Sequence, residues 1–392
     1  MVTGFKWGTL PVRYLGVPLV ARRLTFKDCS ALFDKIAARI NSWSAKLLTY
    51  AGRLQLIQSV LYSIQNFWYR HFILPKGVLR KINQMCASFL WKSKEQSARG
   101  ARVSWEAICF PKSEGGLGLK ELVSWNQASI LQNIWAIITK SGSLWIAWVQ
   151  DYVIKGGSFW QLIEKKNGNW SWNKLLRLRD ITQKFVERHD GRETWKISGG
   201  KYKAAAVWKE IRPKREKIAW HRLIWDSFVV PKHAVIAWMA ILNRLPTIDR
   251  LQSWGIEARD CCALCKQDQE TRDHLFFGCS FSRSIWKKVL VLCGLRREVM
   301  EWNQELRWAA QKIKGKSLIS LILKIGWNAY IYQVWRERNN RVFRRKEETE
   351  EQLIEQIKFA IRYRLASLKH IAADTVNLSL HSSWGLFDSI FD

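Results

Sequence analysis

Apolar residues recur every three to four positions through most of this chain, and that periodicity predicts helices. Phe33, Ile36, Ala37, Ile40 and Trp43 share one face of a first helix, with Asp28 as its N-cap. Leu54, Ile57, Leu61, Ile64 and Trp68 line a second, and Val78, Ile82, Met85 and Phe89 a third that starts after Pro75. Further helices are expected over Asn126–Lys140, Leu144–Val153, Ala204–Ile211, 217–242, Leu318–Arg345 and Glu350–Leu368. Alternating and β-branched stretches are few. Residues 10–20 read as a short strand or hairpin edge, and 155–200 as a connection with short strands. Residues 92–101 are polar and small and read as a flexible loop, and the last twenty as weakly ordered. The fold class is therefore mainly α.

Gly115, Gly116 and Gly118 form a cluster with two readings, a turn or a phosphate cradle. A cradle needs a following Lys-Ser/Thr, which is missing, so turn chemistry is preferred. Ser317 to Trp335 is apolar but contains Lys324, Asn328 and Gln333, so it reads as an amphipathic helix and not a membrane span.

Charge changes the picture. The chain of 392 residues holds 64 Lys and Arg against 33 Asp and Glu, a net charge of +31. Such an excess implies a polyanionic partner, nucleic acid before an anionic membrane surface. The 24 tryptophans are mostly expected in cores, with a minority free to stack on bases. Met1 to Thr9 has no apolar signal core, and the eight cysteines do not form a secreted disulfide pattern. The expected setting is nuclear or cytoplasmic.

The sharpest chemistry is C-x2-C-x8-H-x4-C, made by Cys262, Cys265, His274 and Cys279. Three thiolates and an imidazole at this spacing fit a closed, structural zinc site with no open position for a reacting water. Metal binding contributes folding free energy to such small modules, about 10–16 kcal/mol. Cys261 is an alternative to Cys262, and a chance cluster around a core histidine is the bland alternative. No Asp-Asp pair exists in the chain, so the two-metal chemistry of nucleotidyl transfer has no visible ligands. His71, His189, His221, His233, His370 and His381 are isolated and read as surface or packing residues. No catalytic residue is assigned, and no small-molecule substrate or membrane partner is expected.

These blocks resemble the C-terminal part of plant LINE-type (non-LTR) retrotransposon reverse transcriptases. LPVRYLGVPL (10–19) is similar to the segment closing the polymerase domain, and AGRLQLIQSVLYSIQNFW (51–68) to its thumb. FLWKS (89–93), VSWEAICFPKSEGGLGLKEL (103–122) and WNQA (125–128) resemble the connecting region. PKHAVIAWMAILNRLPTIDRLQSWGI (231–256), CALC (262–265), ETRDHLFFGC (270–279) and IW (285–286) resemble the reverse transcriptase zinc-binding domain, and VWRERNNRVF (334–343) a helix after it. The resemblance implies four segments: the end of a polymerase domain with a thumb-like helical bundle (1–95), a connecting region (96–200), the zinc-binding domain (201–295) and a basic helical region (296–392). It implies that the catalytic aspartates lie upstream, so this chain is expected to be a truncated, inactive fragment that binds RNA or DNA backbone. The expected phosphate contacts are Arg39, Arg53, Arg70, Arg80, Lys81, Arg336, Arg338, Arg341, Arg344 and Arg345. The competing readings are an accessory part of an active polymerase supplied with a palm in trans, and a protein-interaction or decayed element.

Overall fold

The computed structural model describes residues 10, 12–20, 22–43, 48–91, 102–166, 168–189, 192–257 and 260–392. It is mainly α-helical, with two small two-stranded sheets among the described residues. The chain groups into two compact units. Unit 1 comprises Met1–Leu48, Gly52–Phe110 and Leu117–Arg215; unit 2 comprises Thr49–Ala51, Pro111–Gly116 and Glu216–Asp392. The main division between the units falls after Arg215.

Unit 1 opens with an antiparallel hairpin, β1 (Val12–Tyr14) and β2 (Val17–Leu19), turned by Leu15 and Gly16, both at positive φ. Two successive left-handed residues match the right-handed twist of the flanking strands. Then come α1 (Ser30–Ser42), α2 (Tyr50–Leu56, in this unit from Gly52 on), α3 (Tyr62–His71), α4 (Lys76–Trp91), α5 (Trp105–Cys109), α6 (Leu122–Ile138), α7 (Leu144–Trp148), α8 (Trp170–Leu176) and α9 (Arg179–Gln183). A second hairpin, β3 (Val186–His189) and β4 (Arg192–Trp195), precedes α10 (Ala204–Ile211). The N-cap expectation is corrected: Asp28 does not cap α1 but accepts the Thr25 N–H and pairs with Arg22 at 2.7 Å. The loop expected at 92–101 lies outside the described residues.

Helices α2 and α3 are joined by one wide turn, Ile57–Leu61. The extra residue rotates the apolar face, so Tyr62, Gln65 and Tyr69 are buried with Trp68 while Ile64 is only half-buried. Helix α6 organises the unit, packing on α3, α4 and α10. Its Asn126 accepts from the Leu74 N–H (2.8 Å) and donates to the Phe72 carbonyl (2.8 Å), satisfying backbone where α3 ends and α4 has yet to begin. Trp208 of α10 donates to Ser124 Oγ (3.1 Å) and meets Trp125 edge to face.

Unit 2 contains α11 (His221–Ile224), α12 (Pro231–Ile241), α13 (Ile248–Ser253), α14 (Ser280–Leu292), α15 (Trp302–Lys312), α16 (Leu318–Asn339), α17 (Glu350–Leu365) and α18 (Thr375–Trp384). The helix expected over 217–242 is two pieces, broken before Pro231, which starts α12 where its missing N–H costs nothing. Helix α16 is the axis, with α12, α14 and α17 against it. The sequence predicts an amphipathic helix here; instead Lys324, Asn328 and Gln333 are buried with the apolar residues. Lys324 is satisfied by Asp226 (2.9 Å) and the Gly315 carbonyl (2.8 Å), and Asn328 donates to the Leu223 carbonyl (2.9 Å). A helix buried all round is a core element.

The C-terminal expectation is also corrected. Residues 375–384 form α18, capped by Asp374, and Leu380, Trp384 and Ile390 are buried. The glycine cluster at 115–118 forms turns, with Gly115 and Gly118 at positive φ.

Candidate metal centre and basic residues

Cys262 and Cys265 sit on one tight turn. The Lys266 N–H donates to the Cys262 carbonyl (2.9 Å), and Lys266 takes a left-handed conformation that closes the turn. The Cys262 N–H is held by the Asp268 carbonyl (2.7 Å). His274 begins a single wide turn, His274–Gly278, whose last bond runs from the Cys279 N–H to the His274 carbonyl (2.6 Å). That turn delivers Cys279 to the N-terminus of α14, where the Arg283 N–H donates to its carbonyl (2.8 Å).

The outcome is convergence. One ligand atom from each of Cys262, Cys265, His274 and Cys279 lies within 4.8 Å of every other, and Cys265 Sγ stands 3.3 Å from His274 Nε2. Zinc–sulfur bonds of about 2.3 Å and zinc–nitrogen bonds of about 2.0 Å in a tetrahedron demand donor–donor separations of roughly 3.5–3.8 Å. The donor set therefore fits Zn²⁺ with small adjustment. Cys262 takes part in this cluster; the alternative, Cys261, does not.

The protonation state fits a metal site as well. A hydrogen bond from the Cys262 thiol brings the Cys279 thiol down to about 5, and the same bond together with burial pushes Cys262 well up. One of these two buried sulfurs is thus favoured as a thiolate, the form that binds a metal. His274 turns its other nitrogen, Nδ1, toward Asp268 at 3.7 Å, the side from which a carboxylate orients a ligating imidazole.

The turns that carry these ligands are anchored by charges buried in the same unit. Glu270 is fully buried; it accepts the Ile248 N–H (3.1 Å) and pairs with Arg338 of α16 at 2.7 Å. Arg341, one turn on, donates to the carbonyl of Leu264, between Cys262 and Cys265 (3.0 Å), and to Glu337 (2.7 Å). Below the ligands lies an aromatic cluster of Phe276, Phe277, Trp286, Trp302, Trp327 and Tyr330, all fully buried. Sequence reasoning missed Glu270 as an anchor; its signal was a carboxylate four residues before His274.

The basic residues divide. Arg39, Arg70, Arg80, Lys81, Arg344 and Arg345 are exposed, with no acidic partner among the described residues. Arg53 is not on the surface: it is buried and donates to the Leu90 carbonyl (3.3 Å) at the end of α4, so it serves as that helix's cap. Arg338 is likewise committed to Glu270, Arg341 to Glu337 and Leu264, and half-buried Arg336 to Glu348 and Gln356. These four hold the fold together and offer little to a phosphate. Of the histidines, His233 is buried against Tyr332 with ring centroids 4.3 Å apart. Burial, then Lys232 and Arg336, lower it to about 3, so it is a neutral packing residue.

Residues 202–286 match the family described as zinc-binding in reverse transcriptase. All four converging ligands lie inside that stretch. The chain is also similar to an Arabidopsis thaliana protein named as a ribonuclease H protein, 21% identical over 79% of this chain and 65% of the relative. It thus spans about two thirds of that relative's length. An uncharacterised mitochondrial protein of the same plant is 23% identical over 31% of this chain and 79% of its own length. The stretch 202–286 thus links the chain to reverse transcriptases through their zinc-binding region, as the sequence blocks within it imply. No helix among the described residues is long and apolar enough to cross a membrane.

Proposed function

We propose that this chain is a non-catalytic, nucleic-acid-binding part of a LINE-type reverse transcriptase, folded in unit 2 around one structural zinc ion. The observation that carries the reading is the convergence of Cys262, Cys265, His274 and Cys279 within the stretch matched to the reverse transcriptase zinc-binding family. Three thiolates and one imidazole fill a tetrahedron, so zinc here holds the Cys262–Lys266 turn and the start of α14 and does no chemistry on substrate. Zinc-bound thiolates suit the reducing nucleus or cytosol, where the eight unpaired cysteines stay reduced.

The partner is RNA or DNA, met through its backbone. A net charge of +31 attracts a polyanion, and Arg39, Arg70, Arg80, Lys81, Arg344 and Arg345 are exposed to neutralise phosphates. Contacts of this kind fix position and do not read bases, so sequence preference is small.

Purified chain is assayed three ways. Elemental analysis finds one zinc per chain. Gel shifts with RNA, DNA and duplex at rising salt give log–log slopes of about −0.9 per phosphate contacted on duplex DNA. Primed template with dNTPs and Mg²⁺ is not extended. Extension by the chain alone overturns the non-catalytic reading; no retention of either nucleic acid at low salt overturns the binding reading.

A further inference from the structure

We infer that unit 1 carries a stacking cleft for the unpaired bases of single-stranded nucleic acid, built between α7 and α8. This rests on the nucleic-acid reading above and specifies a place and a strand type for it.

The cleft has a volume of about 880 Å³, toward the upper end of the roughly 300–1,000 Å³ usual for ligand sites. One wall is α7 and the turn that continues it, Val149–Ile154; the other is α8. Five indole and phenol rings line it, those of Trp145, Trp148, Tyr152, Trp170 and Trp172. These rings are not core residues left partly uncovered. Trp148 is 53% exposed and Tyr152 67%, yet their rings lie nearly parallel, 19° apart with centroids at 6.0 Å. Exposing that much ring surface to water is unfavourable unless something covers it.

Charge identifies what covers it. Lys155 and Lys165 line the same cleft, and no Asp or Glu is among its described lining residues. With two ammonium groups and no carboxylate, this lining is net positive and attracts an anion. An apolar protein segment would need no lysines; a free phosphate would need no rings. Flat apolar faces interleaved with ammonium groups match alternating bases and phosphates. Duplex bases have their faces hidden in the stack, so only a single strand can use the rings.

The test measures anisotropy of fluorescein-labelled oligo-dT and oligo-U twelve-mers, and of a labelled duplex of equal length, with the full chain. Trp148→Ala/Tyr152→Ala is compared with wild type and with Trp148→Phe/Tyr152→Phe. Far-UV circular dichroism and thermal melting verify folding, which exposed rings should not control. Base–aromatic stacking corresponds to roughly 5- to 150-fold per base, so the double alanine variant should bind single strands at least tenfold more weakly. Duplex affinity and its salt slope should not change, and the phenylalanine variant should recover most of the loss. Equal loss on duplex and single strand, or no loss on either, overturns the cleft while leaving general nucleic-acid binding intact. Failure of wild type to bind any of the three probes at low salt overturns the underlying reading as well.

Discussion

The Glu270–Arg338 pair makes the strongest quantitative demand on unit 2. Glu270 is completely buried, and its carboxylate receives both the Arg338 guanidinium (2.7 Å) and the Ile248 N–H (3.1 Å). Arg338→Met keeps the apolar stem but leaves Glu270 ionised with no countercharge. Orphaning one partner of a buried pair costs about 3–5 kcal/mol. Glu270→Gln/Arg338→Met removes both charges and keeps an acceptor for Ile248. Replacing a buried pair as a whole is often neutral, so the double variant should lie within about 1 kcal/mol of wild type. Urea unfolding followed by circular dichroism gives the stabilities, and zinc release to a colorimetric chelator reports the metal site. Because Glu270 lies four residues before His274, zinc should leave the single variant faster and the double variant near the wild-type rate. An Arg338→Met protein less than 1 kcal/mol weaker than wild type, or a double variant as weak as the single, would refute the assigned role.

Other outcomes follow from the same structure. Cys265→Ser should drop zinc content well below one per chain and melt unit 2 at lower temperature while the transition of unit 1 is kept; elemental analysis with calorimetry checks it. His233 is lowered to about 3 from an ordinary 6.5, so it stabilises fully above pH 6.5 and that stability is lost as pH falls toward 3. The loss is roughly 2–3 kcal/mol by pH 4.5, and His233→Phe should flatten this part of the stability–pH curve measured by urea melts. Arg53→Ala should cost about 1–3 kcal/mol of stability, by uncapping α4, and leave the salt slope of nucleic-acid binding alone. Arg80→Ala/Lys81→Ala should do the reverse, lowering the slope by up to about 1.8 if both contact duplex phosphates.

Much of this was legible in the sequence for one reason: periodicity and ligand spacing are local. The Cys262–Cys265 turn and the His274–Cys279 turn each close within a few residues, so spacing alone foretold the cluster. Helix α10 was found residue for residue because Lys203 and Arg212 bound a short apolar pattern. What failed depended on distant partners. Arg53 reads as one more surface arginine until α4 places its last carbonyls beside it. Lys324 looks like the polar side of an amphipathic helix until Asp226, 98 residues earlier, turns out to be its counterion. The tail reads as weakly ordered in sequence because burial of Trp384 and Leu380 is a property of the unit and not of their neighbours in sequence. The wide turn at Ile57–Leu61 is a single-residue event that shifts phase without any marker in composition.

Helix α16 works as a ruler. It is tied down near one end by Lys324 on Asp226 and near the other by Arg338 on Glu270, fourteen residues and about 21 Å apart. Side chains between these ties can be exchanged if volume is kept. Length cannot: deleting one residue slides the far tie by about 1.5 Å and swings it about 100° round the axis, so it no longer meets its carboxylate. Descendants of this chain should therefore accumulate substitutions in the helix freely while gaps and insertions gather in the loops on either side of it.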